Sequence, residues 1–285
     1  PNGHLQTIWN SVFGQMTLTK KFKIEFKRQR FKTPDNDFLD FDWLLNKKKN
    51  TPLLVLFHGL EGSANSHYAL AFARVAVEYN LSFVVVNFRG CSGEINLAPR
   101  AYHAGDVEEI NWILKKIDSI VSNKSIFCVG ISLGGNALLK WLSKHDRSLY
   151  SKISKLKAIA SVSAPLDLTA SGTKLDSGIN RVIYSKFFLR TMKKKAQKKW
   201  AQYPGLFNLE AVISARTIKQ FDNEFTAPIH NFLDVNDYWK KSSSLNEIRF
   251  ITTPTLILNA RNDPIIPNFD VGKLNLSSKK VEFGT

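Results

Sequence analysis

From Leu53 onward the chain alternates short apolar runs with longer amphipathic ones. Leu53 to Phe57, Phe83 to Asn87, Ser125 to Val129, Leu156 to Val162, Pro254 to Leu258 and Lys279 to Phe283 are strand-sized, and most are apolar at consecutive positions. That is the pattern of strands covered on both faces. Tyr68 to Tyr79 is Ala-rich and reads as a helix. Asp106 to Val121 places apolar residues at 107, 110, 113, 114, 117, 120 and 121, a helical spacing, with Asp106, Glu108 and Glu109 suited to the helix N-terminus. Strands and helices in alternation predict an α/β fold with a mostly parallel sheet. Upstream, Lys20 to Phe31 alternates polar and apolar through Phe22, Ile24 and Phe26. A Pro34-Asp35-Asn36 turn and a second run, Phe38 to Leu45, complete an antiparallel hairpin. Residues 1 to 18 hold no clear period, and no internal repeat is present.

The alternation breaks between 167 and 249. This region is helical in pattern, basic and aromatic, with Tyr184, Phe187, Phe188, Trp200, Phe221, Phe225 and Trp239 among its rings. The expected organisation is a single domain, 1–285, with 167–249 inserted as a helical cap or lid. Most of the aromatics should form the insert's own core and a minority should face a pocket.

Composition narrows the class. With 44% hydrophobic and 22% charged residues over 285, the chain is globular and can bury one large core. No apolar run approaches a membrane span. The net charge of +16 comes mostly from Lys, with dense runs at Lys47 to Lys49 and Arg190 to Lys199. No nucleic-acid-binding motif accompanies it, so no nucleic-acid partner is expected. A solvated Lys-rich surface is the first reading, and weak association with an anionic membrane surface the second. Two cysteines, Cys91 and Cys128, make no disulfide framework and fit a reducing, cytoplasmic location. The chain opens on Pro1 without a signal-peptide pattern, which suggests a fragment or processed product. There is no His/Cys zinc cluster, no G-x-x-x-x-G-K phosphate loop and no G-x-G-x-x-G fingerprint, so no metal or cofactor is expected.

One stretch carries chemistry. Lys124 to Leu142 runs as strand, tight turn and helix, and the turn matches G-x-S-x-G at Gly130, Ser132 and Gly134. A serine hydroxyl is a poor nucleophile unless it is held exposed beside a base. The sharp turn exposes Ser132, the two glycines let strand and helix close on each other, and the helix N-terminus points free N–H groups at developing negative charge. Asp263 follows the Thr255-to-Leu258 run and stands after Ser132 in the chain, as a triad acid would; Asp167 is the second candidate.

Several motifs in order resemble the YheT-like subgroup of the α/β-hydrolases. They are Asn2-Gly3-His4-Leu5-Gln6-Thr7, His58-Gly59-Leu60-Glu61-Gly62-Ser63, Asn87-Phe88-Arg89-Gly90-Cys91-Ser92-Gly93 and Tyr102-His103-Ala104-Gly105. Gly130 to Asn136, Phe221-Asp222, Thr226-Ala227-Pro228 and Leu258 to Pro264 continue the series. The resemblance covers nearly the whole chain. It implies an α/β-hydrolase fold and a serine hydrolase of carboxylic esters, with short- to medium-chain acyl esters or acylglycerols as substrates. It makes Ser132 the nucleophile and Asp263 the acid, and it places the oxyanion donors on the Leu133 and Leu60 N–H groups. His58 is then a scaffold residue of the oxyanion loop.

The base departs from the family pattern. The six histidines are His4, His58, His67, His103, His145 and His230, and none follows Asp263. In the resembling family the histidine lies just past the last strand, so it is expected beyond Thr285, and the chain as given should turn over ester slowly or not at all. His67 and His103 are the nearer substitutes, His145 should lie at the far end of the elbow helix, and the sequence does not place His4 or His230. The alternative reading is a catalytically impaired relative that binds a ligand or partner.

Overall fold

The computed structural model describes residues 3–7, 24–46, 48, 50–121, 124–147, 152–267 and 280–285. Among them the strands are β1 (Lys27–Lys32), β2 (Phe38–Leu44), β3 (Leu53–Phe57), β4 (Ser82–Asn87), β5 (Ile126–Ile131), β6 (Leu156–Val162), β7 (Thr255–Leu258) and β8 (Val281–Gly284). They form one sheet in the order β1-β2-β4-β3-β5-β6-β7-β8. The pairs β1/β2 and β2/β4 are antiparallel, and every pair from β4 to β8 is parallel. The expected mostly parallel sheet with an antiparallel N-terminal hairpin is therefore the one observed.

The continuous apolar runs of β3 and β4 are explained by their two faces. Val55, Phe57, Val84 and Val86 pack one way, against Ile110 and Ile113 of α2 (Val107–Ile120) and Leu138 and Trp141 of α3 (Leu133–Asp146). Leu56, Phe83 and Val85 pack the other way, against Ala69, Ala73 and Ala76 of α1 (His67–Glu78). Each large apolar side chain so buried is worth about 1.5–3 kcal/mol. Asp106 caps α2 by accepting from the Glu109 N–H at 3.2 Å.

The hairpin differs from its expected phase. The strand β1 begins at Lys27, and Ile24 and Phe26 pack on the core ahead of it; Lys20 to Lys23 lie outside the described residues. The strand is instead ordered by cross-strand charge. Arg28 stands opposite Asp42 and Arg30 opposite Asp40, each pair closed at 2.8 Å. Asn87 ties this hairpin to the sheet, donating to Asp42 Oδ2 at 2.8 Å and to the Asp40 carbonyl at 3.0 Å.

Between β6 and β7 the chain is helical. It comprises α4 (Leu168–Leu175), a π turn (Arg181–Ser185) running into α5 (Lys186–Gln202), α6 (Leu209–Ser214), a second π turn (Asp222–Thr226) and α7 (Val235–Ser242). These helices share a separate apolar cluster that includes Tyr184, Phe207, Phe221, Phe225, Tyr238 and Trp239. Among the described residues no helix is long and apolar enough to cross a membrane. Both cysteines are buried free thiols, Cys128 within β5.

Register fixes what happens at the sheet's carboxyl edge. Ile131, Val162, Leu258 and Gly284 stand level across β5, β6, β7 and β8. Ser132 therefore leaves the sheet at the same height as the loop carrying Asp263 and as the end of β8. In open α/β sheets this edge is where ligands bind.

Candidate active site

The elbow begins with strain at one residue. Ser132 has φ 51° and ψ −120°, a conformation costly for a side-chain-bearing residue, by about 1–3 kcal/mol. The surrounding backbone holds it there. Its N–H donates to the Val162 carbonyl at 2.8 Å, and its own carbonyl accepts from the N–H groups of Gly135 at 2.9 Å and Asn136 at 3.1 Å. The flanking glycines are required by contact. A Cβ at Gly130 would lie 2.6 Å from the Gly134 carbonyl oxygen, and one at Gly134 would lie 2.5 Å from the carbonyl oxygens of Phe57 and His58. The elbow helix thus seats directly on the end of β3.

That contact brings the next loop to the serine. Gly59 passes so close that a Cβ there would lie 3.1 Å from Ser132 Cβ. Gly59 to Gly62 form a turn closed by the Gly62 N–H to the Gly59 carbonyl at 3.0 Å, with Leu60 and Glu61 at its centre and Glu61 at φ 57°. Side chains pin this turn on each side. Tyr68 Oη accepts from the Gly59 N–H at 3.0 Å. Tyr102 Oη accepts from the Glu61 N–H at 2.9 Å and donates to Glu61 Oε1 at 2.8 Å. Lys195 Nζ, from α5, donates to the same carboxylate oxygen at 2.8 Å and lies 3.1 Å from Cys91 Sγ. Burial works against the Lys195 charge, but Cys91 and Glu61 outweigh it and hold the ammonium above its ordinary value. Among the described residues, the N–H groups of Leu60 and Leu133 make no hydrogen bond within the protein. The turn that Gly59 brings against Ser132 and the helix that follows Ser132 therefore each carry an N–H without a partner among the described residues, donors of the kind that stabilise an oxyanion.

His58 is fully committed to this scaffold. Its Nδ1 is 2.8 Å from the Gly59 carbonyl oxygen and its Nε2 accepts from the Phe88 N–H at 3.0 Å. Burial holds the imidazole neutral, down at about 4. The other histidines are spread out. His67 is half-buried at the start of α1, edge-on to Tyr68. His145 lies at the end of α3, bonded to Asp146 and accepting from the Ile153 N–H. His103 lines the cavity described below, but its Nδ1 accepts from the Gly105 N–H and its ring packs on His230 at 4.4 Å. His4 stacks on Tyr184, with its Nδ1 3.2 Å from Tyr184 Oη. Among the described residues no histidine is hydrogen-bonded to the Ser132 hydroxyl.

Asp263 sits four residues past the level of Ser132. Its Oδ1 accepts from the N–H groups of Ile265 at 2.8 Å and Ile266 at 3.0 Å, which fixes the carboxylate. Its loop is braced by Lys174, which donates to the carbonyls of Asp263 and Ile266, and by Asn262, which donates to Gln6 Oε1 at 2.9 Å. The 3–7 segment thus docks on the loop that carries the candidate acid. Asp167, the second candidate, is occupied as the N-cap of α4, accepting from the Ala170 N–H at 3.0 Å.

Ser132, Leu60 and Leu133 line a cavity of about 160 Å³ beneath the helical segment. Leu175, Phe188, Met192, Phe221, Phe225 and Trp239 make its apolar walls. Asp222 also borders it. Burial lifts this carboxyl to about 6, against hydrogen bonds from Thr226 at 2.7 Å and the Trp239 indole at 2.8 Å. Two residues of the basic run depart from the solvated reading. Lys195 and Lys199 turn inward with Phe188 and Met192, and Lys199 is buried, donating to the carbonyls of Asn96 and Ala98. Their spacing at 188, 192, 195 and 199 is that of one helix face, a signal present in the sequence but masked by the run's charge.

Comparison with known proteins agrees with this fold. The alpha/beta hydrolase fold family matches residues 52–283. The YheT protein of Escherichia coli (strain K12), named as a candidate esterase, is 36% identical over 99% of this chain and 81% of its own. A monoacylglycerol lipase of Saccharomyces cerevisiae is 26% identical over 93% of this chain and 61% of its own, so the chain spans about three fifths of that relative. The Pyrococcus furiosus esterase Pf2001 superposes with a TM-score of 0.56 at 17% identity, over 94% of this chain and 81% of its own. The chain belongs to the α/β-hydrolase fold family.

Proposed function

We propose that this protein is a serine hydrolase of carboxylic esters that works through an acyl-enzyme on Ser132. The observation that carries the reading is the meeting of three features at one cavity: a strained serine, the Leu60 and Leu133 N–H groups that have no partner among the described residues, and apolar walls lined by the same helical segment. Esterase and lipase names among the relatives support it.

In the mechanism Ser132 Oγ attacks the ester carbonyl carbon and gives its proton to a histidine. The N–H groups of Leu60 and Leu133 hold the negative oxygen of the tetrahedral intermediate. The alcohol leaves with the proton, and water then cleaves the acyl-enzyme by the same route. Asp263 orients the imidazole. The place for that imidazole is the carboxyl edge of the sheet, between Ser132 and the loop of Asp263, where the end of β8 stands level with Leu258. The helices between β6 and β7 act as a lid whose inner face receives the acyl chain. A cavity near 150 Å³ holds a benzene-sized guest, so 160 Å³ suits an acyl group of roughly six carbons.

The test is hydrolysis of p-nitrophenyl esters from acetyl to decanoyl by the complete polypeptide. The expected profile peaks near hexanoyl and is abolished by Ser132→Ala. A complete polypeptide that binds these esters without cleaving them would favour the ligand-binding alternative.

A further inference from the structure

The lid has two faces, and the catalytic reading uses one. Phe188, Met192, Lys195 and Lys199 look inward to the cavity. The outer face of the same stretch carries Ile179 at 60%, Val182 at 65% and Phe187 at 66% exposure. The π turn at Arg181–Ser185 adds a residue to the helical repeat, which brings Val182 and Phe187, five apart, onto one side. Along the same stretch Arg181, Lys186, Arg190, Lys194 and Lys198 are exposed, and no Asp or Glu occurs from Gly178 to Gln202. Exposed apolar side chains on a segment that also exposes five cations and holds no acidic residue are the composition of a face that enters a lipid interface.

We propose that this face of the lid docks on an anionic membrane surface. Ile179, Val182 and Phe187 enter the headgroup boundary, and the five cations pair with lipid phosphates and carboxylates. The segment is too short and too charged to cross the bilayer, so the contact is peripheral. Charge decides the occupant: a neutral apolar partner would leave five cations unpaired, and a second copy of a +16 chain would bring like charge against them. The contact also reaches the cavity, because Phe187 packs edge-on against Phe188 with ring centres 5.7 Å apart. Docking on lipid and shaping of the acyl wall are thus separated by one ring contact.

The test is liposome flotation of the full chain carrying Ser132→Ala, so that its result does not depend on the catalytic reading. Vesicles are phosphatidylcholine alone or with about three tenths phosphatidylserine. Binding is expected only to the anionic vesicles and to fall as salt rises. At about fivefold per cation, Lys186→Ala/Arg190→Ala/Lys194→Ala should lower partitioning about a hundredfold. Phe187→Ser should lower it about tenfold while leaving the thermal midpoint unchanged, since the ring is exposed. Equal binding to both vesicles, or binding that survives the triple variant, would overturn the proposal. So would absence of binding, or self-association that Phe187→Ser abolishes.

Discussion

The turn that carries Leu60 should depend on Tyr102, and Tyr102→Phe isolates that dependence. The substitution keeps the ring, which stacks on Phe88 at 5.5 Å, and removes only the hydroxyl. Two bonds go: the acceptor of the Glu61 N–H and the donor to the Glu61 carboxylate. A half-buried N–H left without a partner costs about 1–3 kcal/mol, and the left-handed Glu61 stores about as much again. Neither is offset once the hydroxyl is gone, so the turn relaxes and the Leu60 N–H swings from its aim. Losing one oxyanion donor outright lowers kcat about 10²- to 10³-fold. The Tyr68 and His58 contacts remain, so the donor is displaced and not lost. The expected result with a p-nitrophenyl ester is a kcat lower by about 10- to 100-fold with KM within about threefold. The thermal midpoint should drop by about 3–6 °C. An unchanged kcat beside a lowered midpoint would refute the positioning argument. A raised KM with intact kcat would mean that Tyr102 contributes ordinary binding instead.

Two further substitutions test other parts of the site. Asp222 has a folded-state value raised to about 6, so the folded protein holds that proton more tightly than the unfolded chain. Its contribution is fully present below about pH 4 and is lost as the pH rises through 6. Asp222→Asn can keep the bonds to Thr226 and Trp239, and should be more stable than the parent at pH 7 by up to about 3 kcal/mol, with a flatter profile between pH 4 and 7 in urea titrations. A less stable Asn variant at pH 7 would contradict this. Gly134→Ala places a Cβ against the carbonyls of Phe57 and His58 and should cost about 3 kcal/mol, with activity lost because the elbow and the Gly59–Gly62 turn are forced apart. A soluble, fully active Gly134→Ala protein would contradict the close packing of the elbow on β3.

The sheet was legible because strands β3 to β7 are short, apolar and separated by helices, and burial on both faces produces that text directly. The elbow at Ser132 was legible because glycine is the only residue its turn admits on either side: Gly130 is forced by Gly134 and Gly135 next to it in the chain, and Gly134 by the end of β3. The supports of the turn from Gly59 to Gly62 were not. Tyr102 meets Glu61 across 41 residues and Lys195 meets it across 134, and contacts of that span leave no period in the chain. Lys195 was further hidden in a run whose charge suggested solvent. Its neighbours at helical spacing, Phe188, Met192 and Lys199, were the only clue that one face of the run turns inward. Glu61 carries no sign of its left-handed backbone, since a Gly or Asn would be the ordinary choice there.

Labelling with a fluorophosphonate, followed by mass spectrometry, asks whether Ser132 is an activated nucleophile. The reagent reacts only with a serine that has a working base and an oxyanion hole. A single adduct is expected on the peptide containing Ser132, absent from Ser132→Ala and slowed in Tyr102→Phe. An unlabelled protein, or an adduct on any other serine, would contradict it.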